Sequence, residues 1–215
     1  MAPERDWYAS YDLQAQHTFS LDRHTVVWGG EYRKSQDHFV VTVPPFGLVQ
    51  PRRTIGIGDL FVEDTIALTD QITLTAGLKL ADSTYTGFDY MPSVRLGWRA
   101  SDTTFFWAAI SRAVRAPSRT DRELQAPGFV LPVLDFATEK LLTYEIGYRG
   151  CPTPNISPSV SLYFNAYSDL RSTNLVSLAP LLFQLSNSRA GNVYGVEAWA
   201  IGRSCDGGGC PPVST

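Results

Sequence analysis

The sequence predicts an all-β fold: an antiparallel up-and-down meander of about nine strands, an incomplete segment of a transmembrane β-barrel with short periplasmic turns and long extracellular loops. Three observations predict it. Apolar and polar residues alternate with period two in stretch after stretch between Trp7 and Ile201. Strand side chains point to opposite faces in turn, so each stretch has a greasy face and a wet one. The connections between stretches run short, then long, then short. No run approaches the ~20 apolar residues of a membrane-spanning helix, so the chain crosses a bilayer as strands or not at all.

The first strand, Trp7 to Phe19, sets Trp7, Ala9, Tyr11, Leu13 and Ala15 against Tyr8, Ser10, Asp12, Gln14 and Gln16. A brief turn at Ser20 to His24 leads to a second strand, Val26 to Lys34, and then to a long connection from Asp37 to Arg53. Gly58 to Leu68 and Ile72 to Leu80 follow, joined by the turn Thr69 to Gln71. The second of these is the clearest strand, with Ile72, Leu74, Ala76, Leu78 and Leu80 on one parity and Thr73, Thr75, Gly77 and Lys79 on the other. Beyond a larger segment, Ser83 to Met91, come Val94 to Trp98, the turn Ala100 to Thr103, and Thr104 to Val114. Pro117 has no amide donor and stops that ladder, opening the longest connection, Ala116 to Thr138. Leu142 to Tyr148, the turn Gly150 to Pro158, Val160 to Asp169, the segment Arg171 to Pro180 and finally Ala190 to Ala200 complete the meander. Short connections fall on one side of the sheet and long ones on the other, as in outer-membrane barrels and unlike a soluble sandwich.

Charge supports the same reading. Glu31, Arg33, Glu63, Lys79, Arg95, Arg99, Glu145, Arg149 and Asp169 fall on the polar parity, where a wet lumen would receive them; a lipid-facing Arg at midplane would cost ~2–4 kcal/mol. Alternation alone fits the solvated face of a half-buried soluble sheet equally well. Trp7, Trp28, Trp98, Trp107, Tyr148 and Trp199 lie near strand ends and suit interfacial girdles. Residues 1–203 are expected to form the barrel portion, and 204–215 a Gly- and Cys-rich tail outside it. Cys205 and Cys210 in that tail could close a small disulfide loop; unpaired thiols are the simpler reading, for Cys151 as well. The start, MAPERDWYAS, contains no signal core or cleavage site.

Several function classes are disfavoured. The formal net charge is −3 with both signs interspersed, so no basic stripe invites nucleic acid. His17, His24 and His38 are scattered without metal-ligand spacing and read as turn and surface residues, as does Asp37. No GxSxG turn presents a nucleophile and GIGDLF lacks the third glycine of a phosphate cradle. The chain is therefore read as no enzyme, without catalytic residues, cofactor or metal. Ligand contact is the chemistry that remains. The connections PPFGLVQPRR and RAPSRTDRELQAPGF combine arginines with aromatic and proline residues, and Arg52, Arg53, Arg115, Arg119 and Arg122 are the candidate ligand-facing residues, suited to anionic chelates. Lipopolysaccharide phosphates would suit such arginines equally.

From Trp107 to Leu124 the sequence WAAISRAVRAPSRTDREL resembles the strand and loop entry of TonB-dependent outer-membrane receptors. FVEDTIAL from Phe61, LTAGLKL from Leu74, MPSVRLGW from Met91, EKLLTYEIGYR from Glu139, LYFNAYSDLRS from Leu162 and NSRAGNVYGVEAWA from Asn187 follow that family's order. The resemblance implies an outer-membrane location, contact with outer-membrane lipid, and a parent protein that imports ferric siderophores, cobalamin or oligosaccharides by energy-coupled transport. In that family an N-terminal plug fills a barrel of about 22 strands, and the TonB energy-coupling complex is expected to be reached only through a plug that is expected to be missing here. The chain is accordingly expected to be a fragment that does not transport alone, because its two strand edges would expose backbone groups to lipid. A passive outer-membrane pore and a soluble β-sheet binding domain are the alternative readings.

Overall fold

The computed structural model describes residues 6–40, 45–153 and 155–202. Nine long strands carry the fold: β1 (Trp7–Leu21), β2 (His24–His38), β4 (Arg52–Ala67), β5 (Ile72–Ser83), β6 (Gly87–Ser101), β7 (Thr104–Arg115), β10 (Glu139–Gly150), β11 (Ile156–Leu178) and β12 (Leu181–Gly202). Each pairs antiparallel with the next in one meander, so the predicted topology is the observed one. Three two-residue strands, β3 (Gly47–Leu48), β8 (Leu124–Gln125) and β9 (Val130–Leu131), and one helical turn, α1 (Arg119–Glu123), lie in the loops. β9 adds to β12 in parallel, making ten strands, and the sheet stays open because β1 and β12 do not pair.

Register decides what each face carries, because residues directly opposite share a face. One row runs Leu60↔Leu80↔Tyr90, and another Val94↔Ile110↔Tyr144↔Phe164↔Tyr194. This outward face is aliphatic and aromatic, and its large side chains are half bare, as Leu60 at 67% and Val196 at 65% exposure show. Such exposure is costly in water and natural against acyl chains. The other parity carries Asp12, Glu31, Arg33, Asp59, Lys79, Arg95 and Glu145; Arg33 pairs with Asp12 across β1 and β2, and Lys79 with Asp59 at 2.9 Å. One pair breaks the pattern near the periplasmic turns, where Asp64 on the aliphatic parity accepts from His24 Nδ1 at 2.7 Å.

Glycines let aromatic rings lie flat on the polar face. Trp107 stands directly opposite Gly147, and its indole occupies the space a Cβ there would need, while its Nε1 donates to Glu145 at 2.9 Å. Tyr163 covers Gly195 in the same way. Trp107 and Trp199 are therefore wall residues rather than girdle residues, with the Arg149 guanidinium 6.0 Å from each ring. Trp7, Trp28, Trp98 and Tyr148 do face outward, and Trp98, Phe106 and Tyr148 form a continuous run with centroids 5.5 and 5.3 Å apart.

The sorting of connections is corrected in two places. Ser83 to Met91 is a tight reversal, with Ser83 opposite Gly87 at a φ of 68, the left-handed conformation that glycine adopts without strain. Arg171 to Pro180 continues β11 as a hairpin with β12. At 23 and 22 residues these strands exceed the ~9–11 that cross a bilayer. Beyond the membrane both faces are wet, so alternation fades although the ladder continues. Asp169 sits where the register slips, at a φ of 57, and leaves the polar parity to pair with Lys140 at 2.7 Å. Cys151 is disulfide-bonded rather than a free thiol. The tail 204–215, with Cys205 and Cys210, lies outside the described residues.

Leu96→Arg, five residues from the end of β6 on the outward face, is expected to destabilise the membrane-inserted barrel that contains these strands by ~2–4 kcal/mol. Thr143→Arg on the polar face of β10 should cost less than about 1 kcal/mol. Urea unfolding in lipid vesicles separates the two; equal costs would mean that the faces are wrongly assigned.

Candidate functional site

The buried interior of this protein is at its mouth rather than inside the sheet. Among the described residues the fully buried large side chains are Phe136, Glu123 and Asp121, all in the loop 116–138. Its course is set locally. Pro117 ends the β7 ladder, and Ser118 then caps α1: its hydroxyl accepts from the Asp121 amide at 3.3 Å while the Asp121 carboxylate accepts from the Ser118 amide at 2.9 Å. This reciprocal box satisfies two donors at the start of a single helical turn. β8 then pairs with β3 in the facing loop, and the Val49 amide donates to the Glu123 carbonyl at 2.9 Å.

That turn delivers three charged side chains into one buried network. Arg119 binds Asp37 at the top of β2, Glu123 at 2.7 Å and the carbonyl of Gln50. Glu123 also pairs with Arg53 of β4 at 3.3 Å and accepts the Tyr85 hydroxyl at 2.6 Å. Arg53 and Arg122 flank the Tyr85 ring, 5.3 and 5.1 Å from its centroid, and Arg122 donates to the Tyr85 carbonyl. Asp121 holds Arg115 of β7 at 3.3 Å and Arg171 of β11 at 2.8 Å; Arg115 reaches Glu139 of β10 at 2.7 Å. A single turn of helix thus ties β2, β4, β7, β11 and the β5–β6 reversal together. Asp37 and Arg53 stand on the polar parity, so the loop lies over the polar face and marks it as the lumen side.

Protonation follows from these contacts. Burial and the hydrogen bond to Glu123 push the Tyr85 phenol up to about 12. Burial works against the charge of Asp121, but Arg171 and the Ser118 donors outweigh it and hold the carboxyl below its ordinary value. Burial likewise opposes the Arg119 cation, and Glu123 and Asp37 more than restore it.

Of the five predicted arginines, Arg53, Arg115, Arg119 and Arg122 converge on this network. Arg119 is buried at 8% exposure, Arg53 and Arg122 are half-buried, and Arg115 is exposed. Arg52 is exposed on the outward parity, with no ion pair among the described residues. Sequence reasoning missed Asp37, Tyr85, Asp121, Glu123, Glu139 and Arg171. Asp37 and His38, read as surface residues, are buried at 5% and 4% exposure because the loop covers them. Only the Ser-x-x-Asp cap of Ser118 and Asp121 had a local signal. A concavity of about 620 Å³ lined by Val94, Leu96, Ile110, Ile146, Leu162 and Phe164 lies on the outward face, where lipid chains fill such dents.

An open wall of antiparallel strands, greasy on one face and charged on the other, with a loop drawn over one end, defines the class of outer-membrane β-barrel proteins. The chain belongs to the family described as TonB dependent receptor-like, beta-barrel, which matches residues 2–204. That is a family of outer-membrane receptors and transporters, not of enzymes. Among solved structures it is similar to the siderophore receptor PirA from Pseudomonas aeruginosa, with 21% identity, a TM-score of 0.75 and coverage of 90% of this chain and 37% of that one. A G324V mutant of the ferric enterobactin receptor PfeA from the same organism gives 17% identity, a TM-score of 0.76 and coverage of 90% and 33%. The FrpB iron transporter from Neisseria meningitidis gives 15%, 0.71, 93% and 34%. This chain therefore spans about a third of the length of these structures. No curated protein matches it.

Two outcomes test the network. Because the folded phenol of Tyr85 titrates above its ordinary 10.0, its contribution is full below pH 10 and is lost as pH rises through about 12. Ultraviolet titration of the protein against Tyr85→Phe should show one phenol missing from the late phase near 12, and loss from the early phase would contradict the site. Arg119→Met leaves Asp37 and Glu123 buried with fewer partners and is expected to weaken loop docking by about 3–5 kcal/mol. Hydrogen exchange over 116–138 would then accelerate while the strands keep their protection.

Proposed function

We propose that this chain forms part of the wall and mouth of a receptor that takes anionic ferric siderophores from the cell exterior for energy-coupled import. The observation that carries the reading is the loop 116–138, held over the polar face by Arg119, Asp121 and Glu123. Arg53, Arg115, Arg119, Arg122 and Arg171 meet Asp37, Asp121, Glu123 and Glu139 there, leaving one cation in excess. The side chains of Arg115 and Arg171 are 53% and 52% exposed, so they can exchange a carboxylate partner for an incoming anion. Arg52 adds an exposed cation at the rim, and the buried Arg119 positions the loop. Similar solved structures carry the names of siderophore and ferric enterobactin receptors, which favours this ligand class over cobalamin or oligosaccharide. Transport itself requires that β1 and β12 be closed by further strands, since open edges cannot face lipid. Contact with the energy-coupling complex would run through a plug segment rather than through these residues.

The test is ferric-chelate binding by the receptor that contains these residues, read by quenching of tryptophan fluorescence. Arg115→Gln with Arg171→Gln is expected to weaken binding of an anionic ferric catecholate at least about tenfold, since each hydrogen bond to a charged group is worth ~1.5–3 kcal/mol. Binding of a neutral chelate should change little. Unaltered affinity for the anion, with folding intact, would remove the proposed role.

A further inference from the structure

We propose that the wall carries a seam between β6 and β7, opening above Ser93 and Ser111, and that the loop 116–138 is the clasp that holds it shut. The first step is the ladder. β6 and β7 pair from Ser101↔Thr104 up to Ser93↔Ser111, and there their ladder ends. Each strand runs on with its other neighbour: β6 pairs with β5 as far as Ser83↔Gly87, and β7 with β10 as far as Glu139↔Arg115. Above Ser93 the wall is therefore two sheets, one ending at β6 and the other beginning at β7.

The second step is cause. The Arg99 amide donates to the Gln71 carbonyl on the β5 side, so by alternation the even-numbered backbone groups of β6 face β7. Pro92 is one of them. It would stand opposite Arg112 in the next rung, where the ladder needs a donor and proline has none. Arg112 lies eight residues from the base of β7 at Thr104. Eight residues at ~3.3 Å each, tilted by about 40°, rise ~20 Å, close to the top of the apolar band of an outer-membrane barrel. Backbone groups freed above that level meet water and headgroups, whereas lower down hydrocarbon would offer them no partner.

The third step is what bridges the gap. The loop 116–138 leaves β7 and returns to β10, so it belongs to one half of the divided wall, yet its side chains grip the other half. Glu123 accepts the Tyr85 hydroxyl at 2.6 Å and pairs with Arg53 at 3.3 Å, Arg122 donates to the Tyr85 carbonyl, and Thr138 donates to Asp89 at 2.8 Å. Arg112 spans the foot of the gap, donating to the Tyr90 carbonyl and lying 4.2 Å from the centre of its ring. Side chains can let go singly, without unravelling a strand. Release of α1 then lets the β5–β6 hairpin, with the strands behind it, lean away from β7 and widen the mouth. The zipped strands below keep the membrane sealed.

The test measures distances in the receptor that contains these residues, reconstituted in lipid, with spin labels on ketone-bearing amino acids so that the natural cysteines stay untouched. It needs no ligand, so it stands apart from the chelate-binding test. One labelled pair, Phe88 on β6 and Ser168 on β11, spans the seam, and both residues are exposed. The other, Leu96 and Leu162, joins the same two strands through the unbroken row Leu96↔Ala108↔Ile146↔Leu162. Arg112→Met together with Arg122→Met is expected to lengthen the Phe88–Ser168 distance by about 5 Å or more, one strand spacing, and to leave the Leu96–Leu162 distance unchanged. Adding Pro92→Thr supplies the missing amide and should cancel the lengthening. Pro92→Ala stands in if the threonine variant fails to fold. An unchanged Phe88–Ser168 distance in the double variant, equal lengthening of both pairs, or lengthening that persists once Pro92 is replaced would each overturn the assignment.

Discussion

Everything in the wall depends on the demand that a backbone surrounded by hydrocarbon satisfy its own hydrogen bonds. Lipid offers no donor or acceptor, so each N–H and C=O must find a partner on a neighbouring strand. That demand explains why the meander is nearly free of irregularity between the periplasmic turns and the outer rim, with β2 and β4 paired without a break from His24↔Ile66 to His38↔Arg52. It also explains where irregularity is tolerated. The larger register slips of β11 against β12 begin at Tyr167, eleven residues from the start of β11 at Ile156, about where the bilayer has been crossed.

A single-layer sheet has no interior to bury, so its faces are chosen by solvent rather than by packing. The outward side chains leave much of their surface for lipid, and the inner ones solvate themselves through ion pairs such as Arg33 with Asp12. Trp107 on Gly147 and Tyr163 on Gly195 thin the inner wall to a ring lying on backbone, which gives these polar aromatics a surface to pack on without filling the lumen. Among the described residues the large, fully buried side chains gather at the mouth, where loops cross one another. There the enclosed groups are charged as much as apolar, and every buried carboxylate of α1 has an arginine within reach. Removing charge from water is costly, so the network persists because its members are paired and hydrogen-bonded together.

The strands were legible because one physical contrast, lipid against water, is written at period two. Ile72 to Leu80 shows it without a break, and the structure extends that strand only to Ser83. The same signal failed above the membrane. STNLVSLAPLLFQLSNS has no lipid side and therefore no alternation, although it forms a hairpin. Ser83 to Met91 failed for another reason: Phe88 and Tyr90 continue the outward row, but a reversal of three residues around Tyr85 was hidden in a run of Thr, Gly and Asp. At the mouth, four of the five arginines named from composition met in one network, yet their partners come from positions 37, 85, 121, 123, 139 and 171. Such distances in sequence leave no periodicity to read; only the register of the finished sheet brings those residues together.

Arginine appears in three settings here, and position alone separates them. Arg33 lies among lumen carboxylates, Arg112 stands at the lipid rim over Tyr90, and Arg119 is enclosed. The first two have water or headgroups beside them, so their charge is partly solvated and either could shorten or shift without leaving an acceptor bare. Arg119 has no such reserve. Its fork addresses Asp37 and the Pro51 carbonyl through one terminal nitrogen, and Glu123 and the Gln50 carbonyl through the other. Two of those acceptors are carboxylates that the loop itself buries. A lysine has the same charge, but one compact ammonium on a single stem cannot place donors at two sites a guanidinium width apart. Geometry rather than charge therefore fixes the residue at this position, and with it the placement of α1 over the lumen.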